Sequence, residues 1–486
     1  MSNTTEDVHS VKYEKGSDSS IEEEIKSNEF VKSEAERRFL RKLNIRLLPL
    51  ASLAIFLQYV DKSALSIAAI LGIIEDTGMS HSQYSWLGSL FYLGFFLYQI
   101  PNNYLLQKLP VGRYLGIMII LWGGVTIGTA FCQNFVQLAV LRVFLGVFES
   151  ATYPSLILIM STMYRKSEQS ACFGFLWLSN GLASIVKSAS GYGIAQMKPV
   201  GGLVAWRMSF VIFGVITVGV GIIMLVFLID TPQSRWLSLT EEEKEIVKLR
   251  TQDNAVVRKG EISHQQYFEA LKEPRLWLIF VSAMVNNFQN GGLIHFSNVL
   301  VKSLGFNTLD TILLQIPSGF VSAVFVFGGV MLHRKTGQLC FSVMVLSAVS
   351  GLGCLLLAVL PQNGIKLLGY YLTWPCTGAY TLIVSLISST VSGYSKKIFY
   401  NGILMIAYTL GNFIGPLVIL DNEAPAYKSA MWVYFASNVV VIICFVLIRL
   451  WLSRLNVKNA PGRTDTPTDA NLNLTDREDP NYVYKL

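Results

Sequence analysis

Long apolar runs alternate with short polar connections along this chain. Twelve runs, near 47–70, 84–107, 113–131, 135–160, 170–195, 207–229, 276–301, 311–332, 340–360, 367–390, 398–420 and 430–452, are each long enough to cross a hydrocarbon layer. Lipid offers a backbone amide no hydrogen-bond partner, so each run is expected to satisfy its own amides as a helix. A longer polar stretch separates the sixth run from the seventh. The pattern predicts an all-α membrane protein with twelve transmembrane helices. They are divided into an N-terminal tail 1–46, a six-helix bundle 47–229, a linker 230–274, a second six-helix bundle 275–452 and a C-terminal tail 453–486. Inside the linker, LTEEEKEIVKLR sets Thr240 three residues before Glu243, a capping box expected to start a short helix. KLPVGR (108–113) and HRKTGQ (333–338) place Gly112 and Gly337 after the second helix of each half, as two parallel repeats would.

Composition agrees: of 486 residues, 52% are hydrophobic and only 15% charged, far from an ordinary soluble domain. The formal charge of +7 suggests a polyanionic partner until its placement is read. Lys32, Arg37, Arg38, Arg41, Lys42 and Arg46 precede the first run. Lys108 and Arg113, Arg165 and Lys166, Arg334 and Lys335, and Lys396 and Lys397 fill every second connection, and Arg454, Lys458 and Arg463 follow the last run. The other connections are poor, with none in 71–83 or 132–134 and then only Lys198 and Arg207, Lys302, Lys366 and Lys428. This asymmetry puts both termini in the cytosol and assigns the basic balance to topology, not to nucleic acid. The N-terminal stretch lacks the order of a cleaved signal peptide. Cys132, Cys172, Cys340, Cys354, Cys376 and Cys444 have no metal-ligand spacing and read as small packing residues. SDSSIEEE (17–24) reads as a disordered acidic serine cluster, with phosphorylation as its alternative role. The sequons at Asn3 and Asn473 fall in tails expected to be cytosolic and so without glycan.

Ionisable groups inside apolar runs are costly and usually face the bundle interior, so they are the candidates for chemistry. Here they are Asp61 and Lys62, Arg142 and Glu149, Lys187 and His295. Each has a structural alternative. Asp61 and Lys62 can neutralise neighbours or each other, Arg142 can hold cytosolic loops, Lys187 can snorkel to the interface, and backbone groups or the polar run NNFQN (286–290) can satisfy His295. Glu149 is harder to explain that way. Seven residues are nearly two helical turns, so Arg142, Gly146, Glu149 and Tyr153 share one stripe, with Glu149 near mid-helix. A carboxyl there is suited to taking up and releasing a proton. No paired aspartates, metal-ligand cluster or activated serine suggests an enzyme, a metal or a cofactor.

RVFLGVFESATYP (142–154), with Arg142 and Gly146 as its RxxxG, resembles the fourth-helix motif of the major facilitator superfamily in its anion:cation symporter branch. YVDKSAL (59–65), SWLGSLFYLGFFLYQIPNNYLLQKLPVGRYLG (85–116), MYRKSEQ (163–169), NGGL (290–293), VSGYSKK (391–397), YTLGNFIGP (408–416), EAPAY (423–427) and the tail LTDREDPNYVYKL are similar to the fungal allantoate permease family. The resemblance covers nearly the whole chain. It implies a plasma-membrane importer, monomeric as a transport unit, that moves a small organic anion with protons. The substrates it implies are ureides, vitamins or their precursors, and sulfur-containing amino acids. Lys62, Arg142 and Lys187 would attract the anion, Glu149 and Asp61 would handle the proton, and Asn180, His295 and Tyr408 would line the site. Two departures stand out: Gln107 and Lys108 replace the general superfamily's aspartate after the second helix, and Lys187 stands where a small residue is expected. The alternative is a nutrient sensor that binds ligand without net transport.

Overall fold

The computed structural model describes residues 34–199, 202–231, 234–247, 263–462, 474–479 and 481–484. The acidic serine cluster and the sequon asparagines Asn3 and Asn473 lie outside the described residues. The spans of the first half are Glu34–Ile70, His81–Lys108, Val111–Thr129, Phe135–Glu149 with Thr152–Met163, Lys166–Gln196 and Ala205–Phe227. Those of the second half are Pro274–Lys302, Thr308–Leu313 with Ile316–Thr336, Leu339–Val359, Lys366–Leu372 with Pro375–Thr390, Tyr394–Leu417 and Lys428–Asn459.

Length and hydropathy alone identify 8 of these spans among the described residues. The second, fifth, seventh and tenth fall short, because they carry polar residues on their interior faces or, in the tenth, a break. The first helix begins well before residue 47: Phe39, Leu43 and Leu47 recur one turn apart on a buried stripe while Ile45 points outward. Three spans are built from two segments. Pro317 and Pro375 stand in the first turn of the later segments of the eighth and tenth spans, where a missing N–H leaves no carbonyl unpaired. The fourth span breaks immediately after Glu149, and Ser150 N closes that segment on Gly146 O at 3.1 Å.

The third span packs on the sixth, the second on the fourth, the seventh on the eleventh and the ninth on the twelfth. Between the halves, the first span meets the seventh, the second the eleventh and the fifth the eighth. The contact of the second span with the fourth requires glycine on both sides. A Cβ at Gly146 would stand 1.9 Å from Phe91 O, and one at Gly94 2.0 Å from Val143 O. Any larger residue would push the fourth span away and carry Arg142 and Glu149 with it.

The seam between the halves is bonded toward the end remote from Glu34 and Asn459. There Ser66 Oγ lies 3.1 Å from Ser297 Oγ, Asn298 N donates to Ser66 Oγ at 3.2 Å, and Tyr84 OH donates to His295 O at 2.7 Å. Ser89 Oγ donates to Phe413 O at 2.6 Å. At the terminal end, the ion pairs among the described residues stay within a half. In the first half Arg165 meets Glu36 at 3.1 Å and Lys42 meets Glu243 at 2.8 Å. Glu243 belongs to the expected capping box, which forms: Thr240 N donates to Glu243 Oε2 at 2.9 Å and Glu243 N to Thr240 Oγ1 at 3.3 Å.

The second half is clasped by the tail. Asp476 receives Arg275 Nη2 at 2.9 Å, Lys396 Nζ at 2.8 Å and Tyr484 OH at 2.9 Å. Lys396 also reaches Glu273 at 2.6 Å and Glu269 of the short helix His264–Leu271 at 2.7 Å. Arg275, Lys396, Glu273 and Asp476 are all fully buried. The free cysteines are buried as packing residues, with no disulfide among them.

Candidate functional site

The ionisable residues of the spans gather mainly in the first half. Lys62 and Glu149 meet: Lys62 Nζ lies 3.1 Å from Glu149 Oε1, joining the first span to the break in the fourth. The pair is an ion contact without hydrogen-bond alignment, and both Glu149 oxygens are buried with no hydrogen-bond donor. The ammonium sits 5.7 Å from the ring centroids of Phe91 and Phe95 and 5.8 Å from that of Tyr153. These rings stabilise the cation through their negative faces and keep water from it. The stripe read from the sequence is therefore correct in aiming Glu149 inward, but the cation it meets comes from another helix.

Asp61, next to Lys62 in the chain, points elsewhere. Its Oδ1 accepts from Thr126 Oγ1 at 3.1 Å, while Oδ2 is buried without a donor. Arg142 is buried with its guanidinium 5.8 Å from the Phe210 ring and Nη2 unbonded, so its depth is not explained by a loop contact. His295 is also buried, and both ring nitrogens lack a partner. The expectation that NNFQN satisfies it is not met, because those amides bond elsewhere. Asn287 pairs with Asn412 at 3.0 Å, Asn290 with Asn412 at 2.9 Å, and Gln289 with Ser350 at 2.8 Å and Asn438 at 2.6 Å. The His295 ring instead packs edge-on to Tyr92, centroids 6.2 Å apart, with Gly88 leaving it room. Tyr408 completes an aromatic series across the seam, 6.3 Å from Tyr92 and 5.5 Å from Tyr380.

Lys187 does not snorkel. In the fifth helix Leu182, Ile185 and Val186 are exposed, whereas Ala183, Ser184, Lys187 and Ser188 form the buried face, Lys187 with only 4% of its surface exposed. None of the described hydrogen bonds or ion pairs joins it to the other charges. Asn180 is helical, but its side chain lies outside the described residues.

Sequence reasoning passed over Gln58. It precedes Asp61 and Lys62 by one turn, is 1% exposed, and has both amide atoms unbonded. Its spacing, three and four residues from two intramembrane charges, was the available signal. Also missed were Tyr92 and Thr126, which look like ordinary apolar-helix residues until the helices are assembled.

The arrangement has ionisable groups on the first half, amides and aromatics on the second, and a bonded seam at one end. A description of the major facilitator superfamily matches residues 51–416. This chain belongs to that superfamily. Within it, the chain is 30% identical over 486 residues to the allantoate permease of Saccharomyces cerevisiae, covering 96% of this chain and 89% of that one. An uncharacterised transporter of Schizosaccharomyces pombe is 32% identical over 466 residues, covering 93% of this chain and 90% of the relative. The fungal allantoate permease family is thus the branch to which this major facilitator chain belongs. Among solved structures, a bacterial homologue of the human lysosomal transporter Spinster, inward-facing and unoccupied, superposes with a TM-score of 0.63 at 16% identity, covering 84% of this chain and 97% of that one. A D-xylose–proton symporter gives 0.60 at 14% identity, covering 82% and 96%. These two likenesses concern the fold alone. Like its relatives, this superfamily member is a multi-pass membrane transporter of small solutes.

Proposed function

We propose that this transporter imports a small organic anion together with a proton, by alternating access. The ureide, vitamin-related and sulfur-containing amino acid classes are the first to test. The observation that carries the reading is the 3.1 Å contact of Lys62 with Glu149. A substrate carboxylate and the Glu149 carboxylate want the same ammonium. While Glu149 is ionised, Lys62 is neutralised from within the protein and an incoming anion gains little. Once Glu149 accepts a proton, its attraction for Lys62 falls away and the ammonium turns to the substrate, so anion and proton load together. Release reverses the exchange: loss of the proton restores the internal pair and displaces the anion. Arg142 and the Asp61–Thr126 contact hold the neighbouring field, and Tyr92, Tyr408 and His295 line the path. In this reading the terminal end of the bundle faces the cytosol, and the seam, bonded at the other end, is shut toward the outside.

In proteoliposomes with an acidic exterior, a labelled anionic nutrient of these classes should accumulate above equilibrium, with alkalinisation of the outer medium. Binding with no net flux would make the protein a receptor, and accumulation that follows sodium and ignores pH would remove the proton. Orientation has its own check. Epitopes at residue 5, in the 248–262 stretch and at residue 470 should be stained at the plasma membrane only after permeabilisation; staining of any on intact cells would reverse the topology.

A further inference from the structure

Among the described charges buried well inside the spans, one is left over. Lys62 is in contact with Glu149. Asp61 and Arg142 act on one another as the leading opposite charge of each. Those four sum to zero. Lys187 remains, 4% exposed, with no carboxylate acting on it. It lies on the face of the fifth helix that meets the first and eighth spans. One turn before it, a Cβ on Gly319 of the eighth span would stand 2.8 Å from Ser184, and one turn after it Gly191 faces Ile67 and Ile312. The lysine therefore sits at the seam between the halves and not against lipid. A lone buried ammonium opposes folding unless it gives up its proton or something bound to the folded protein compensates it.

We propose that Lys187 is a second anion-binding point and that the transported substrate carries two acidic groups, one for Lys62 and one for Lys187. This rests on the reading that Lys62 takes an anion when Glu149 is protonated. In that loaded state Glu149 no longer counts, so Lys62 and Lys187 are both uncompensated. A dianion cancels both, whereas a monoanion leaves one ammonium buried and alone. The proton on Glu149 and the two acidic groups thus bring the core to neutrality in the loaded form, the one that carries substrate across the lipid.

The test is direct binding to the purified full-length protein at mildly acidic pH. The probes are α,ω-dicarboxylates and ω-sulfonated carboxylates of about three to eight carbons, each paired with its half-amide, so that one acidic group is removed at constant size; at the fitting length the diacid should bind at least about tenfold more tightly than the half-amide. Lys187→Met should bring the two within about twofold by weakening the diacid alone, and Lys187→Arg should restore the preference. Wild-type protein that binds half-amides as well as diacids at every length would overturn the proposal, with no variant needed, while leaving proton-coupled transport of a monoanion intact. A preference that survives in Lys187→Met would overturn it as well. Failure of every probe to bind, in wild type and variants alike, would remove both this proposal and the organic-anion reading beneath it.

Discussion

Glu149→Gln will exchange substrate across a membrane but will no longer accumulate it against a gradient. The amide has the shape of a protonated carboxyl and holds no proton to give up, so Lys62 is left permanently available to the substrate. Counterflow, which needs only binding and reorientation, should stay within about threefold of wild type, while pH-driven accumulation should drop by at least about tenfold, the signature of a lost coupling step and not of lost binding. Lys62→Ala should give the opposite pattern: binding is lost, and counterflow and accumulation fall together. Lys62→Arg should be milder, because the cation is kept even though its geometry changes. Uphill, pH-driven uptake by Glu149→Gln at the wild-type rate would end the assignment of Glu149.

The largest effect on stability is expected far from that site, at Asp476. Its carboxylate answers two buried cations, Arg275 and Lys396, each in direct contact with it. Removing one partner of a buried charge network leaves the others uncompensated and typically costs about 3–5 kcal/mol. Asp476→Ala should therefore lower the melting temperature of the purified protein by several degrees and reduce its abundance in the membrane. Arg477→Ala is the control: its side chain is 42% exposed, and the buried Glu273 that it reaches at 3.1 Å keeps Arg275 and Lys396 as partners, so its loss should cost much less. The pH dependence follows from the same contacts. Burial alone would raise the Asp476 carboxyl, but the charges of Arg275, then Lys396, with hydrogen bonds from Lys396 and Tyr484, prevail and hold it below the ordinary carboxylate range. A depressed carboxyl contributes stability that is present above its unfolded value and lost as pH falls through its folded one. The gap between wild type and Asp476→Ala should thus stay constant through the neutral range and narrow only in acid. Equal melting temperatures for the two proteins at neutral pH would show that the clasp is not structural.

What was legible in the sequence was whatever the membrane itself dictates. Apolar length gave the spans, including the second, fifth, seventh and tenth, which hydropathy scoring alone leaves out. Helical spacing placed Glu149 on an interior stripe with Arg142. Breaks were less visible: the one after Glu149 falls in the polar stretch ESATYPS (149–155), whose spacing reads equally well as one face of an unbroken helix, and Pro154 marks it only to within a few residues. Pairings between helices were not visible at all. Lys62 and Glu149 are 87 positions apart, counting from 62 to 149 in the chain, and nothing local to either says that they meet. The same holds for His295, whose polar neighbours in the sequence turn out to bond with other helices, and for Lys187, whose depth depends on which face of the fifth helix the eighth span covers.

The tail clasp also imposes an order of events on the making of the protein. Asp476 follows Arg275 by 201 positions, so Arg275 and Lys396 enter the bilayer interface long before the carboxylate that answers them has been synthesised. Until then Glu273 and Glu269 must hold both cations unaided. A chain that stops short of residue 474 has every span of the second half, but its two buried cations keep only Glu273 and Glu269 as partners. Loss of those last residues should therefore be felt as weakness of the whole second half and not as the fraying of a tail.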